Sequence, residues 1–133
     1  MPESGQTPPH GRHALVIEDE QDVLDLLGAH LARLGYRVTG AQSGERGVEL
    51  ALADPPDVVV VDVLLPGIDG REVVRLLRAE PGTRDCPIVV CSVLDRPDLE
   101  GVPADGVLVK PFGRAAVAQV MDEVVGQRQR RSG

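Results

Sequence analysis

The chain has 133 residues, 42% of them hydrophobic but only 2% aromatic, with a formal net charge of -7. That length suits one domain and excludes two of ordinary size, while the acidic balance argues against direct nucleic-acid binding, which calls for a basic face. With one Phe, one Tyr and no Trp, a core must be built from aliphatic side chains, as in buried parallel strands under Leu-rich helices.

Residues 1–12 are rich in Pro, Gly and polar side chains and are expected to be disordered. The domain proper is expected over 13–126. It opens with a short apolar run, ALVI (14–17), that ends in Glu18-Asp19-Glu20. Val23, Leu24, Leu27, Leu31 and Leu34 then recur at helical spacing until Gly35 stops the helix. Residues 36–41 read as a weaker, edge-like strand, and Ser43 as the N-cap of a helix carrying Val48, Leu50, Ala51 and Leu52. Asp54-Pro55-Pro56 ends that helix.

The run VVVV (58–61) is continuously β-branched, which makes it the plainest strand of the sequence. It leads into Asp62 and a loop of turn formers, LLPGIDG. A helix over 72–79, a strand over 88–91 ending at Ser92, and a strand over 107–109 ending at Lys110-Pro111 follow. A helix over 115–125 closes the pattern, with Ala116, Val117, Val120, Met121 and Val124 on one face. The basic stretch 127–133 is either a frayed helix end or the start of a linker. Cys86 and Cys91 lack metal-site spacing and read as reduced packing residues. No run approaches the roughly 18 apolar residues of a membrane span, and no signal-peptide pattern opens the chain, so it reads as cytoplasmic.

Strands alternating with helices imply an α/β fold, a doubly wound parallel sheet with right-handed crossovers and helices on both faces. Ligands in such folds sit beyond the carboxyl ends of the strands. Asp19, Asp62, Ser92 and Lys110 each follow an apolar strand, so four segments deliver two carboxylates, a hydroxyl and an ammonium to one crevice. Crowded carboxylates repel one another. A hard dication such as Mg²⁺ relieves that repulsion and, with a lysine, neutralises phosphoryl oxygens during transfer. An aspartate can itself serve as the nucleophile.

The motifs LVIEDE, VVVVDVLLPGIDG, PIVVCS and LVKPF, in this order and at these strand ends, resemble the response-regulator receiver family over roughly residues 13–125. The resemblance implies a five-stranded sheet of order 2-1-3-4-5, flavodoxin-like. It makes Asp62 the phosphoacceptor and Asp19 the main Mg²⁺ carboxylate, with Glu18 helping directly or through water and the Leu64 backbone carbonyl as a further ligand. Ser92 matches the switch hydroxyl, Lys110 the cation that pairs with the phosphoryl group, and Pro111 a position usually cis. The implied partners are a sensor histidine kinase or histidine phosphotransfer protein as donor and a downstream protein. Neither nucleic acid nor membrane is implied, and a homodimer is one form the chain could take. Glu20 reads as a helix-start charge, Asp69 as a loop former, and His10, His13 and His30 as structural or disordered.

Three positions depart from the family pattern. Val93 follows the switch hydroxyl where Ala or Gly is usual, and with Leu64 and Leu94 it leaves no side chain able to orient an attacking water. Val107 stands where an aromatic residue usually reports the phosphorylated state, so an output change is expected in backbone or helix. The stretch between Ser92 and Lys110 is about one helical turn short, and Pro97, Gly101 and Pro103 interrupt it, so a shortened or remodelled fourth helix is expected. Two other functions compete: a pseudo-receiver that binds partners without phosphotransfer, and an aspartate-nucleophile phosphatase. The phosphatase would need a second aspartate as general acid where this chain has Leu64.

Overall fold

The Val-rich run becomes the centre of the sheet. A computed structural model of the chain describes residues 12–93 and 101–132, with side chains up to Gly126. In chain order the elements are β1 (His13–Ile17), α1 (Gln21–Arg33), β2 (Arg37–Ala41), α2 (Gly44–Ala53), β3 (Val58–Asp62), α3 (Gly70–Ala79), β4 (Ile88–Ser92), β5 (Gly106–Val109) and α4 (Arg114–Ser132). The five strands are all parallel in the order β2-β1-β3-β4-β5. This is the doubly wound, flavodoxin-like order 2-1-3-4-5 that the sequence implied.

β1, β3 and β4 are buried along their whole length, whereas β2 and β5, at the two edges, are mostly exposed or half-buried and bury only Ala41 and Leu108. Burial on both faces explains why the central strands read as unbroken apolar runs. Side chains alternate across the sheet, so each run feeds two cores. Ala14, Val16, Val58, Val60, Val89 and Cys91 pack under α1 and α4 with Leu27, Leu31, Val117 and Met121. Leu15, Ile17, Val59, Val61, Ile88 and Val90 pack under α2 and α3 with Ala51, Val73, Val74 and Leu77. Each fully buried aliphatic side chain contributes about 1.5–3 kcal/mol, which lets a core with almost no aromatics hold the sheet.

Local signals set the helix ends. Gly35, at φ 97°, takes the left-handed conformation that lets the chain turn out of α1. Ser43 Oγ accepts the Arg46 amide at 3.1 Å and caps α2. Asp69 caps α3 in the same way, its Oδ1 accepting the Glu72 amide at 3.1 Å. Hydrogen bonds from Arg71 and that amide outweigh partial burial and hold the Asp69 carboxyl below the usual range. The cap starts α3 at Gly70, two residues before the expected 72. α4 continues to Ser132, so the basic stretch extends the last helix through 132.

The expected disorder of 1–12 falls, apart from Arg12, outside the described residues. So does the core of the expected fourth helix, 94–100. Residues 101–105 hold no helix, and Arg78 of α3 fastens them. Its guanidinium donates to the carbonyls of Pro103 (2.9 Å), Arg84 (2.7 Å) and Cys86 (2.7 Å) and to Asp105 Oδ2 (2.9 Å). Asp105 Oδ2 also accepts the Ile88 amide at 2.8 Å, so one ion pair ties α3, the start of β4 and the approach to β5. Cys86 and Cys91 are both buried free thiols. Burial pushes the Cys91 thiol up to about 12, which fits the reading of an unreactive packing residue.

At the far end of the sheet His13 is buried, its Nε2 2.7 Å from Thr39 Oγ1. Among the described residues Nδ1 has no hydrogen-bond partner, and it lies 3.9 Å from the Asp54 carboxylate. Burial and the nearby Arg37 outweigh Asp54 and Asp57 and lower the imidazole pKa from 6.5. A histidine depressed in the folded state stabilises the fold fully above its unfolded pKa. That contribution is lost as the pH falls through 6.5 to the lower folded value. Urea unfolding at about pH 7.5 and about pH 5 should therefore show a smaller stability loss on acidification for His13→Gln than for the native chain. Equal losses would contradict this role.

Candidate functional site

Parallel register brings the strand ends to one level. Ile17 pairs with Val61, Asp62 with Cys91, and Ser92 with Val109, so the residues that follow or end these strands share one rim. Glu18 leaves β1 with its amide bonded to the Ala41 carbonyl at 2.9 Å. Asp62 and Ser92 are the last residues of β3 and β4, and Lys110 follows β5, its amide bonded to the Ser92 carbonyl at 2.7 Å. Glu18, Asp62 and Ser92 are buried, whereas Asp19 is exposed.

The cleft at this rim has a volume of about 270 Å³ and is lined by Asp19, Glu20, Asp62, Val63, Leu64, Ser92, Val93 and Lys110. Lys110 Nζ donates to Asp62 Oδ2 and to Glu18 Oε1, each at 3.1 Å. Asp62 Oδ1 accepts the Leu64 amide at 3.3 Å, and Glu18 Oε2 the Glu20 amide at 3.2 Å. Burial disfavours the Lys110 ammonium, but its bonds to the two carboxylates outweigh that and hold its pKa above the ordinary lysine value. Burial, with Asp62 close by, pushes the Glu18 carboxyl up.

Glu18, Asp19 and Asp62 offer carboxylate oxygens that all lie within 4.8 Å of one another. Three acidic side chains around one lysine leave negative charge in excess, and hard oxygen donors are what Mg²⁺ takes. The donor set fits such an ion. All the site residues read from the sequence meet here: Glu18, Asp19, Asp62, Ser92 and Lys110 converge, and Leu64 forms part of the wall. The Lys110–Pro111 peptide is cis. Val93 does line the cleft, while Val107 is exposed and is not among its lining residues. Glu20 is the residue before α1 and makes no side-chain cap, yet it reaches the cleft wall. Among the other histidines, His30 meets Phe112 edge-on at 6.2 Å and His10 lies outside the described residues.

One contributor escaped the sequence reading. Gly70 opens α3, and a Cβ there would collide with the backbone carbonyl of Asp62 and lie 2.8 Å from the Val63 Cα. The glycine lets α3 start directly against the residue that carries the central carboxylate. In the sequence it reads only as one more turn former in the loop.

Comparison with known proteins agrees with this geometry. The model of the response regulator receiver domain matches residues 14–122. Transcriptional regulatory protein AfsQ1 of Streptomyces coelicolor is 39% identical over 112 residues, covering 80% of this chain and 48% of that protein. Response regulator PleD of Caulobacter vibrioides is 38% identical over 81 residues, covering 61% of this chain and 18% of that protein. The chain thus spans about half of one relative's length and less than a fifth of the other's. Among solved structures, chemotaxis response regulator CheY4 of Vibrio cholerae superposes with a TM-score of 0.81 at 25% identity, covering 86% of this chain and 98% of that one. The receiver domain of sensor histidine kinase PA1611 from Pseudomonas aeruginosa, with magnesium in its active-site cleft, gives 0.79 at 29% identity, covering 87% and 98%. With the family's model matched over most of its length and its strand order and strand-end residues in place, the chain belongs to the response regulator receiver domain family.

Proposed function

We propose that this domain accepts a phosphoryl group on Asp62 from the phosphohistidine of a sensor kinase or phosphotransfer protein, acting in the cytoplasm and switching the binding of a downstream protein. The observation that carries this reading is the contact of Lys110 with Asp62 at 3.1 Å, inside a cleft whose wall also holds Asp19 and Ser92. Asp62 presents a carboxylate oxygen as nucleophile. As its bond to phosphorus forms, the bond from phosphorus to the donor nitrogen breaks and the imidazole leaves with the electron pair. Lys110 balances the charge on the phosphoryl oxygens, and the Ser92 hydroxyl supplies one hydrogen bond to the product. The acidic set, with the Leu64 carbonyl, would hold Mg²⁺, which when bound neutralises phosphoryl oxygens. An apolar groove formed by Val23, Leu26, Val93, Pro111 and Phe112 adjoins the cleft and would give a protein donor something to rest on.

The domain would catalyse only its own phosphorylation and dephosphorylation, because Leu64 stands where a phosphatase would place a general acid. Incubation with a phosphorylated histidine phosphotransfer domain tests the reading. Label should move to the chain in Mg²⁺ and fail to move in excess chelator. Transfer that is indifferent to chelation would overturn it.

Loss of the phosphoryl group should be slow. The side chains of Leu64 and Val93, two residues more than half exposed in the cleft wall, offer a water no hydrogen bond. We expect the phosphorylated form to persist for minutes or longer, followed by intact mass after the donor is removed. A half-life of seconds would contradict this.

A further inference from the structure

We infer that Arg78 and Asp105 are positioning residues which, from the end of the sheet away from the cleft, lock the register of β5, the edge strand that leads to Lys110. This rests on the phosphoryl-accepting reading above. Neither residue lines the cleft.

The first ground is how lightly β5 is held. It lies at the edge of the sheet, beside β4, and has four residues. The register of a strand is weakly specified where few of its side chains are buried. In β5 only Leu108 is buried, on the face that α4 covers, whereas Val107 and Val109 on the opposite face are 41% and 44% exposed. The other edge strand, β2, is packed by both α1 and α2.

The second ground is the geometry just before β5. The Asp105 amide donates to the Ile88 carbonyl at 2.8 Å, and Asp105 Oδ2 accepts the Ile88 amide at 2.8 Å. One residue thus takes both backbone groups of the residue that opens β4, and a two-point bond admits no slip. Arg78 Nη2 holds the same Oδ2 at 2.9 Å, while its Nε and Nη1 are engaged by the carbonyls of Pro103, Arg84 and Cys86. A planar guanidinium meets four acceptors at once where an ammonium has only three donors. From this lock β5 runs roughly 16 Å to Lys110, whose amide meets the Ser92 carbonyl at 2.7 Å. A slip of one residue would carry Lys110 about 3.3 Å along the sheet and turn its side chain to the other face.

The test compares Arg78→Met, which keeps the apolar stem, and Arg78→Lys, which keeps the charge. Ala51→Gly is the control, because it loosens the buried core under α2 at the β2 side of the sheet. Uptake from acetyl phosphate is followed by intact mass in the cold, where urea unfolding shows every chain to be folded. Mg²⁺ affinity is read by calorimetry, and the Ile88, Asp105 and Lys110 amides by hydrogen exchange. Both Arg78 variants should slow uptake at least about tenfold, since a small misplacement of a reacting group costs that much or more. Mg²⁺ affinity, set by carboxylates at the ends of β1 and β3, should stay within about twofold of native. The three amides should exchange at least about tenfold faster, with those of β1 and β3 changed no more than in the control. Asp105→Asn should add less than about twofold to Arg78→Met, because the pair acts as one unit. The inference is overturned if either Arg78 variant takes up the group as fast as Ala51→Gly, if Mg²⁺ affinity falls in step with uptake, or if the three amides exchange no faster than those of β1 and β3. Should the native chain take up no phosphoryl group, the functional reading fails, and amide exchange still decides whether Arg78 and Asp105 lock β5.

Discussion

Asp62→Asn should take up no phosphoryl group from any donor, while folding and unfolding as the native chain does. The amide is close in shape, and it retains an oxygen to accept the Leu64 amide that now meets Asp62 Oδ1 at 3.3 Å. What it lacks is the anionic nucleophile. It also removes one partner of Lys110, which donates to Asp62 and Glu18 at 3.1 Å each. The two consequences separate by measurement. Intact mass reports uptake, where loss should be complete, and urea unfolding reports stability, where the cleft's relaxed crowding of carboxylates offsets the lost ion pair. Residual uptake above a few per cent of the native level would place the acceptor elsewhere.

Gly70→Ala should damage both the fold and the site. Its new methyl group would meet the Asp62 carbonyl and the Val63 Cα, which is 2.8 Å away, and backbone at the end of the central strand, held by the Val63 amide's bond to the Cys91 carbonyl, cannot swing aside as a side chain can. Overpacking of a core costs roughly 1–3 kcal/mol, and a rigid neighbour puts this substitution at the upper end. Any relief must come from moving α3 or the end of β3, and the latter carries Asp62 away from Lys110. The expected result is a lower urea midpoint together with slower phosphoryl uptake. Gly82→Ala is the matched control, because apart from its chain neighbours no atom of the described residues lies within 4 Å of a Cβ there and its effect should be within about 0.5 kcal/mol. A Gly70→Ala chain as stable and as fast as that control would show that α3 does not abut the acceptor strand.

These contrasts also mark what a sequence can carry. β3 was legible because four consecutive valines have no other economical use than a strand buried on both faces. The place of Asp62 at the cleft was legible because it interrupts that run at its carboxyl end. Ser43 and Gly35 announced their caps because each uses a local rule, a hydroxyl for an orphan amide or a residue that tolerates positive φ. α3 starts two residues before the expected position, since the Asp69 cap lies among other turn formers, Pro66, Gly67 and Gly70, that mask it in the sequence. Gly70 was unreadable for a deeper reason: its role is an approach to backbone eight positions away. Arg78 was invisible likewise, because its four acceptors span 84–105 and only the folded chain gathers them. The pairing of Lys110 with Glu18, 92 residues apart, follows the same logic. Strand-end placement foretold that the two would share a crevice, and only the geometry says which carboxylates the ammonium holds.

The central claim is a covalent one, so the most direct measurement locates the modified residue. The chain is incubated with Mg²⁺ and acetyl phosphate, the adduct is trapped by borohydride reduction, and the peptides are sequenced by mass. Reduction at Asp62 alone, absent without Mg²⁺, is the expected result. An unmodified Asp62, or an adduct on another residue, would contradict a phosphoryl-accepting site here and turn the reading towards a domain that binds its partners without phosphotransfer.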